Sequence, residues 1–174
     1  MSAPEFSRPV RIDTVGEGPR RMRIAAEDEE RIALARRFGL LAIDRLTAEL
    51  ALRRDRAEIV MEGRLAAAIV QACVATGAPI EAGLEAPFEI RFRPQPEAAG
   101  GEEEVELDAA ELDVLFYDGP EIDVGEAVAE TLLLSLDPYP RAPGAGEALR
   151  EAGVKSEGEA GPFGALAGLR DKLK

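Results

Sequence analysis

Histidine and tryptophan are absent from this chain, cysteine occurs once, and only six phenylalanines and two tyrosines stand among its 174 residues. A lone Cys73 can form no intramolecular disulfide, which suits a reducing compartment. One thiol and no imidazole leave too few soft ligands for the usual zinc sites and nothing for histidine-based general acid/base work, so whole classes of enzyme drop out. Long apolar runs are also missing: the most apolar stretch, Val128 to Leu136, falls far short of the roughly 20 residues that cross a hydrocarbon core. The first residues carry neither the apolar centre of a secretory signal nor the Arg-rich pattern of a transit peptide. A cytoplasmic protein with no membrane partner is expected.

What is present is ordinary globular material, with 46% hydrophobic and 32% charged residues, enough for a core without a staple. The formal net charge of −13 is unevenly spread. Residues 1–64 hold 13 Lys/Arg against 12 Asp/Glu, whereas residues 65–174 hold 8 against 22. The acidic part should repel nucleic acid at modest salt and attract a basic protein, and no DNA partner is expected.

Local patterning predicts an α+β domain over residues 1–141, with a mainly antiparallel sheet curling towards a barrel and packed by two main helices. The first helix spans Glu27 to Leu41, where Leu34, Phe38 and Leu41 recur at helical spacing and acids Glu27 to Glu30 occupy the first turn. Gly39 is read as loosening its last turn without ending it. The second begins at Asp123, a cap with Glu126 three residues on, and runs through the stripe Val124, Val128 and Leu132. Ala127, Thr131 and Leu134 widen that stripe, so this helix should be the most deeply buried, and Asp137-Pro138 stops it. Alternation predicts strands around Ala48 to Leu52, Glu58 to Val74 and Ile80 to Phe92, with a turn over Ala75 to Pro79; shorter strands are expected at Phe6 to Ile12 and Met22 to Ile24. Residues 94–104 read as an exposed loop and 142–161 as a disordered linker, because Ala, Gly, Glu, Pro and Ser offer too little apolar surface to offset ordering entropy. Residues 162–174 form a short, flexible C-terminal tail whose Phe163, Leu166, Leu169 and Leu173 make an apolar edge that orders on docking.

Four groups of residues are candidates for chemistry or binding. Asp113, Asp118 and Asp123 could converge on magnesium for phosphoryl transfer, but Asp118-Gly119-Pro120 is turn chemistry and Asp123 is a helix cap. Cys73, set among Val70, Ala72 and Val74, reads as a small buried hydrophobe rather than a reactive thiol. Arg20, Arg21 and Arg23, with Arg36, Arg37, Arg53, Arg54 and Arg56, could face RNA, or could simply be a solvated face. The acidic stretch Glu97 to Glu130 is a solubilising surface or a grip for a Lys/Arg-rich protein.

The stretch Gly63 to Ile80 around Cys73 resembles the central strand-and-cysteine motif of the YceD family. Ile122 to Arg141, through Asp123, Glu126, Glu130 and Asp137-Pro138, resembles that family's second block, and Pro162-Phe163 through Leu169 its C-terminal tail. The resemblance implies a non-enzymatic accessory factor for making the large ribosomal subunit. It implies no cofactor, and a basic large-subunit ribosomal protein or precursor ribosomal RNA as partner. Arg20, Arg21, Arg23, Phe163, Leu166 and Leu169 are the candidate partner-binding residues. An RNA-binding module working through the N-terminal arginines, and a carboxylate-metal enzyme, are the competing readings. Many relatives carry a second cysteine near the first and more after the Asp-Pro segment, which implies a metal site; those positions are lost here.

Overall fold

The computed structural model describes residues 4–96 and 113–154. The chain divides into two compact units, one made of Met1–Gln71 with Glu81–Pro138 and the other of Ala72–Ile80 with Tyr139–Lys174.

The first unit is built on a five-stranded sheet ordered β2-β3-β4-β5-β6: Arg20–Ala25, Ala42–Asp55, Glu58–Ala72, Pro79–Pro94 and Val114–Tyr117. A smaller ladder pairs β1 (Pro9–Arg11) with β7 (Glu121–Asp123). Strands β2, β3 and β4 run antiparallel in turn, from Arg20 opposite Leu52 to Asp55 opposite Glu58. Strand β6, in contrast, runs parallel to β5, with Arg91 opposite Val114 and Pro94 opposite Tyr117. A parallel neighbour needs a crossover of a dozen or more residues, and the stretch 95–113 has that length. The sheet is α+β and mostly antiparallel as expected, but it is open: β2 and β6 are its edges, so the expected curl does not close into a barrel.

Period-two alternation decides the faces. Leu46, Ala48, Leu50 and Leu52 of β3 point inward with Ile59, Met61, Leu65, Ala67 and Ile69 of β4 and Ile90 and Phe92 of β5, all buried. A bulge between Ile43 and Arg45 adds one residue to β3, so Ile43 and Leu46 both reach the core while Asp44 and Arg45 stay outside. Gly63 is dictated by packing: a Cβ there would overlap the Glu49 carbonyl oxygen and lie 2.9 Å from both the Leu50 Cα and the Phe88 ring.

Helix α1 is Asp28–Phe38. The Glu30 carboxylate accepts the Glu27 N–H at 2.8 Å, and Arg8 grips the same carboxylate with both guanidinium nitrogens, at 2.6 and 2.8 Å. The Arg8 hydrogen bond holds the Glu30 carboxyl below its ordinary range. At the other end the expectation for Gly39 is corrected. Its φ of 67° is left-handed, Leu40 N–H bonds to Ala35 O and Gly39 N–H to Arg36 O, and this closing motif ends the helix. Leu34 and Ala35 enter the core, while Ile32 and Leu41 are left exposed.

Helix α2 is Val124–Leu134, capped as predicted by Asp123, whose side chain accepts the N–H groups of Gly125 and Glu126. The same carboxylate accepts the Arg8 N–H at 2.8 Å and the Ser7 hydroxyl at 2.5 Å, tying the N-terminal segment to the helix start. Val124, Val128 and Leu132 are fully buried, but Leu134 is 85% exposed and Leu133 is 44% exposed. The expected wide burial therefore fails at the last turn.

In the second unit the turn after β4 is pinned by Cys73 N–H to Ala78 O and Gly77 N–H to Cys73 O, both 2.8 Å. Val74 N–H bonds to Pro140 O at 2.9 Å. Helix α3, Ala145–Glu151, lies inside the stretch read as a disordered linker, and over those residues that reading is corrected. Gly144 starts the helix from a left-handed conformation, Ala145 is buried, and Glu147 and Arg150 sit at the ends the helix dipole favours. Phe163, Leu166, Leu169 and the rest of the expected tail lie outside the described residues, as does most of the expected loop at 94–104.

Candidate functional site

The arginines that crowd the first 64 residues separate into two groups once their partners are placed. Arg8 and Arg37 are structural. Arg37 bridges Glu5 at 2.9 Å and Glu126 at 2.6 Å, linking the N-terminal segment, α1 and α2. Arg54 donates to the carbonyls of Val15 and Ile12 and so fastens the loop before β2. Arg53 pairs with Asp55 at 3.2 Å, and Arg56 occupies the β3–β4 turn with a φ of 57°.

The second group lies on the outer face of the sheet. Arg21 and Arg23 point outward from β2, but Arg20, one residue away, belongs to the opposite parity and donates to Thr14 Oγ1 at 2.7 Å. The predicted trio is thus not one patch. The ladder register sets Arg23 opposite Glu49 and Glu49 opposite Arg64, while the bulge turns Arg45 outward on the same side. Arg23, Arg45 and Arg64 surround a shallow hollow of about 320 Å³ lined also by Thr47, Ala66, Glu49 and Glu85. Arg23–Glu49 and Arg64–Glu85 are loose at 3.8 Å. Such exposed pairs are worth about 0–1 kcal/mol. Arg21 and Arg45 make no ion pair among the described residues. Sequence reasoning missed Arg45 and Arg64 because cross-strand register, not proximity in the chain, brings them to Arg23.

A groove of about 290 Å³ lies where the exposed end of α2 meets β5 and β6, lined by Phe88, Ile90, Val114, Leu115 and Leu134 among others. Glu89, Asp113 and Glu130 also line it, and among the described residues no lysine or arginine does. Burial, helped by the nearby Glu126 charge, holds the Glu130 carboxyl above its ordinary range. Of the three aspartates considered for a metal, Asp123 is spent on its four donors and Asp113 is at the groove. Among the described residues no group of three or more Cys, Asp or Glu side chains is placed to hold a metal ion.

Cys73 is buried, as expected, but it is not simply apolar filling. The Ala142 N–H points at its sulfur at 3.3 Å. That bond, followed by one from the Thr76 side chain, lowers the thiol to about 7. Cys73 is the one cysteine of the chain, and among the described residues no set of three potential ligands includes it, so its surroundings do not fit the metal site that the resemblance implies. No helix among the described residues is long and apolar enough to cross a membrane.

Comparison with known proteins yields no match among curated proteins and none among solved structures. A family model does match, over residues 61–170, a span running from near the start of β4 through the turn at Cys73, the α2/β5/β6 groove and α2 itself. With well over half of its length inside that match, the chain belongs to the YceD family, described as large ribosomal RNA subunit accumulation proteins.

Proposed function

We propose that this chain is a non-catalytic accessory factor in the accumulation of the large ribosomal subunit, and that it acts by binding a basic large-subunit ribosomal protein. The family description supplies the process. The observation that carries the mode of action is the charge distribution: residues 65–174 hold 22 Asp/Glu against 8 Lys/Arg. A negative field of that kind draws in a cationic protein, raises its encounter rate and screens its charge before it meets RNA. Cells lacking the chain should hold less large-subunit than small-subunit ribosomal RNA. Crosslinking in growing cells should recover a basic large-subunit protein; recovery of no ribosomal component at moderate salt would remove the proposal.

A second reading has its own observation. The outward set Arg21, Arg23, Arg45 and Arg64 could contact precursor RNA through phosphates. Binding would then fall steeply with salt, with a slope that drops by about one for each contacting arginine replaced. Affinity unchanged after replacing Arg23, Arg45 and Arg64 together would exclude it.

A further inference from the structure

The last turn of α2 presents leucine to water although the rest of the helix is core. A leucine 85% exposed, beside a second at 44%, is an apolar edge with nothing laid on it among the described residues. It borders the 290 Å³ groove whose apolar walls come from β5 and β6, so Phe88, Leu115 and Leu134 form one continuous non-polar lining. Asp113 and Glu130 share that lining, whereas Glu89 has the opposite parity from Phe88 and Ile90 and turns to the outer face of the sheet. Glu89 is drawn towards Arg91 at 3.0 Å, but Glu130 and Asp113 make no ion pair among the described residues.

Apolar surface set among charges of one sign selects its occupant by chemistry. A nucleic acid would meet carboxylates with phosphates. A second copy docked through the same groove would set the same carboxylates against each other, because a two-fold contact repeats each patch. We propose that the groove receives a segment of a partner protein that carries apolar side chains along one edge and Lys/Arg beside them. This rests on the reading of the chain as a protein-binding factor, and adds the surface and the chemistry it selects. Phe88, Leu115 and Leu134 bury the apolar edge, and Asp113 and Glu130 meet the cations.

The test uses the full chain and a labelled peptide of leucine and lysine with leucines at i, i+3, i+4 and i+7, beside the same peptide with glutamate in place of lysine. Fluorescence anisotropy should show binding of the lysine peptide and none of the glutamate peptide. Leu134→Ser, at a position too exposed to matter for folding, should weaken binding by about tenfold or more, as truncation of a central anchor does. Asp113→Asn with Glu130→Gln should weaken it about fivefold and flatten its salt dependence. No binding, equal binding of the two peptides, or equal binding by Leu134→Ser would overturn the proposal. Replacing Phe163, Leu166 and Leu169 together by serine should leave affinity unchanged; a gain of about tenfold would make the chain's own C-terminal segment the occupant and overturn it too. Failure of the peptide while ribosomal components still co-purify would remove the groove alone. Loss of co-purification with peptide binding intact would remove the ribosomal reading alone.

Discussion

Gly63 and Cys73 are residues whose surroundings, rather than their types, decide what they do. An added methyl at Gly63 has nowhere to go, since the obstacles are backbone of the neighbouring strand and the Phe88 ring. Gly63→Ala should therefore destabilise the fold by about 1–3 kcal/mol, the range for overpacking a core, read as a lower urea midpoint with an unchanged slope. At Cys73 the hydrogen bonds from Ala142 and Thr76 favour the thiolate. Because the folded thiol sits at about 7, below the roughly 8.5 of an unfolded one, its stabilisation is complete above the unfolded value and is lost as pH falls through the folded value. Thiolate absorbance should titrate with a midpoint near 7 in the folded chain. The stability gap between the native chain and Cys73→Ala should widen from pH 6 to pH 9; a gap that shrinks over that range would contradict the assignment.

At the scale of elements, one carboxylate organises the N-terminal segment, the β1–β7 ladder and α2. Asp123 accepts from Gly125, Glu126, Arg8 and Ser7, so its removal leaves four donors to find other partners. An ordinary cap is worth about 1 kcal/mol, and the two additional donors raise the expected cost of Asp123→Ala to about 2–3 kcal/mol. Hydrogen exchange should speed first at the amides of β1 and the first turn of α2, not throughout the sheet. The helix ends also mark where local pattern misleads. Apolar spacing extended α1 to Leu41, but Gly39 closes it at Phe38, since a left-handed closing residue outweighs the pattern beyond it. Apolar content buried the end of α2, but Leu134 is left exposed at the rim of the groove beside β5 and β6. Alternation was the dependable signal: β3, β4 and β5 lie where it placed them, because the period that writes the pattern is also the period that decides burial.

The whole molecule carries −13, concentrated beyond residue 64. Self-repulsion of that size opposes compaction, and the ion pairs on the outer sheet face are too exposed to offset it. Raising salt from about 10 to 150 mM should therefore raise the melting temperature, because screening relieves the long-range repulsion more than it weakens short pairs such as Arg8–Glu30. A melting temperature that falls over this range would mean that surface pairs dominate.

The residues alone determined the α+β class, the two principal helices, the long strands and the Asp123 cap, and they carried the family likeness, since each depends on neighbours a few positions away in the chain. The tertiary structure decided which arginines are tied up in the fold and which share a face. It also decided that the sheet stays open, with β6 parallel at its edge, that Cys73 sits under an amide donor, and that the end of α2 overhangs a carboxylate-lined groove. These features depend on register and on which segments end side by side, and a linear pattern holds no record of distances between residues far apart in the chain.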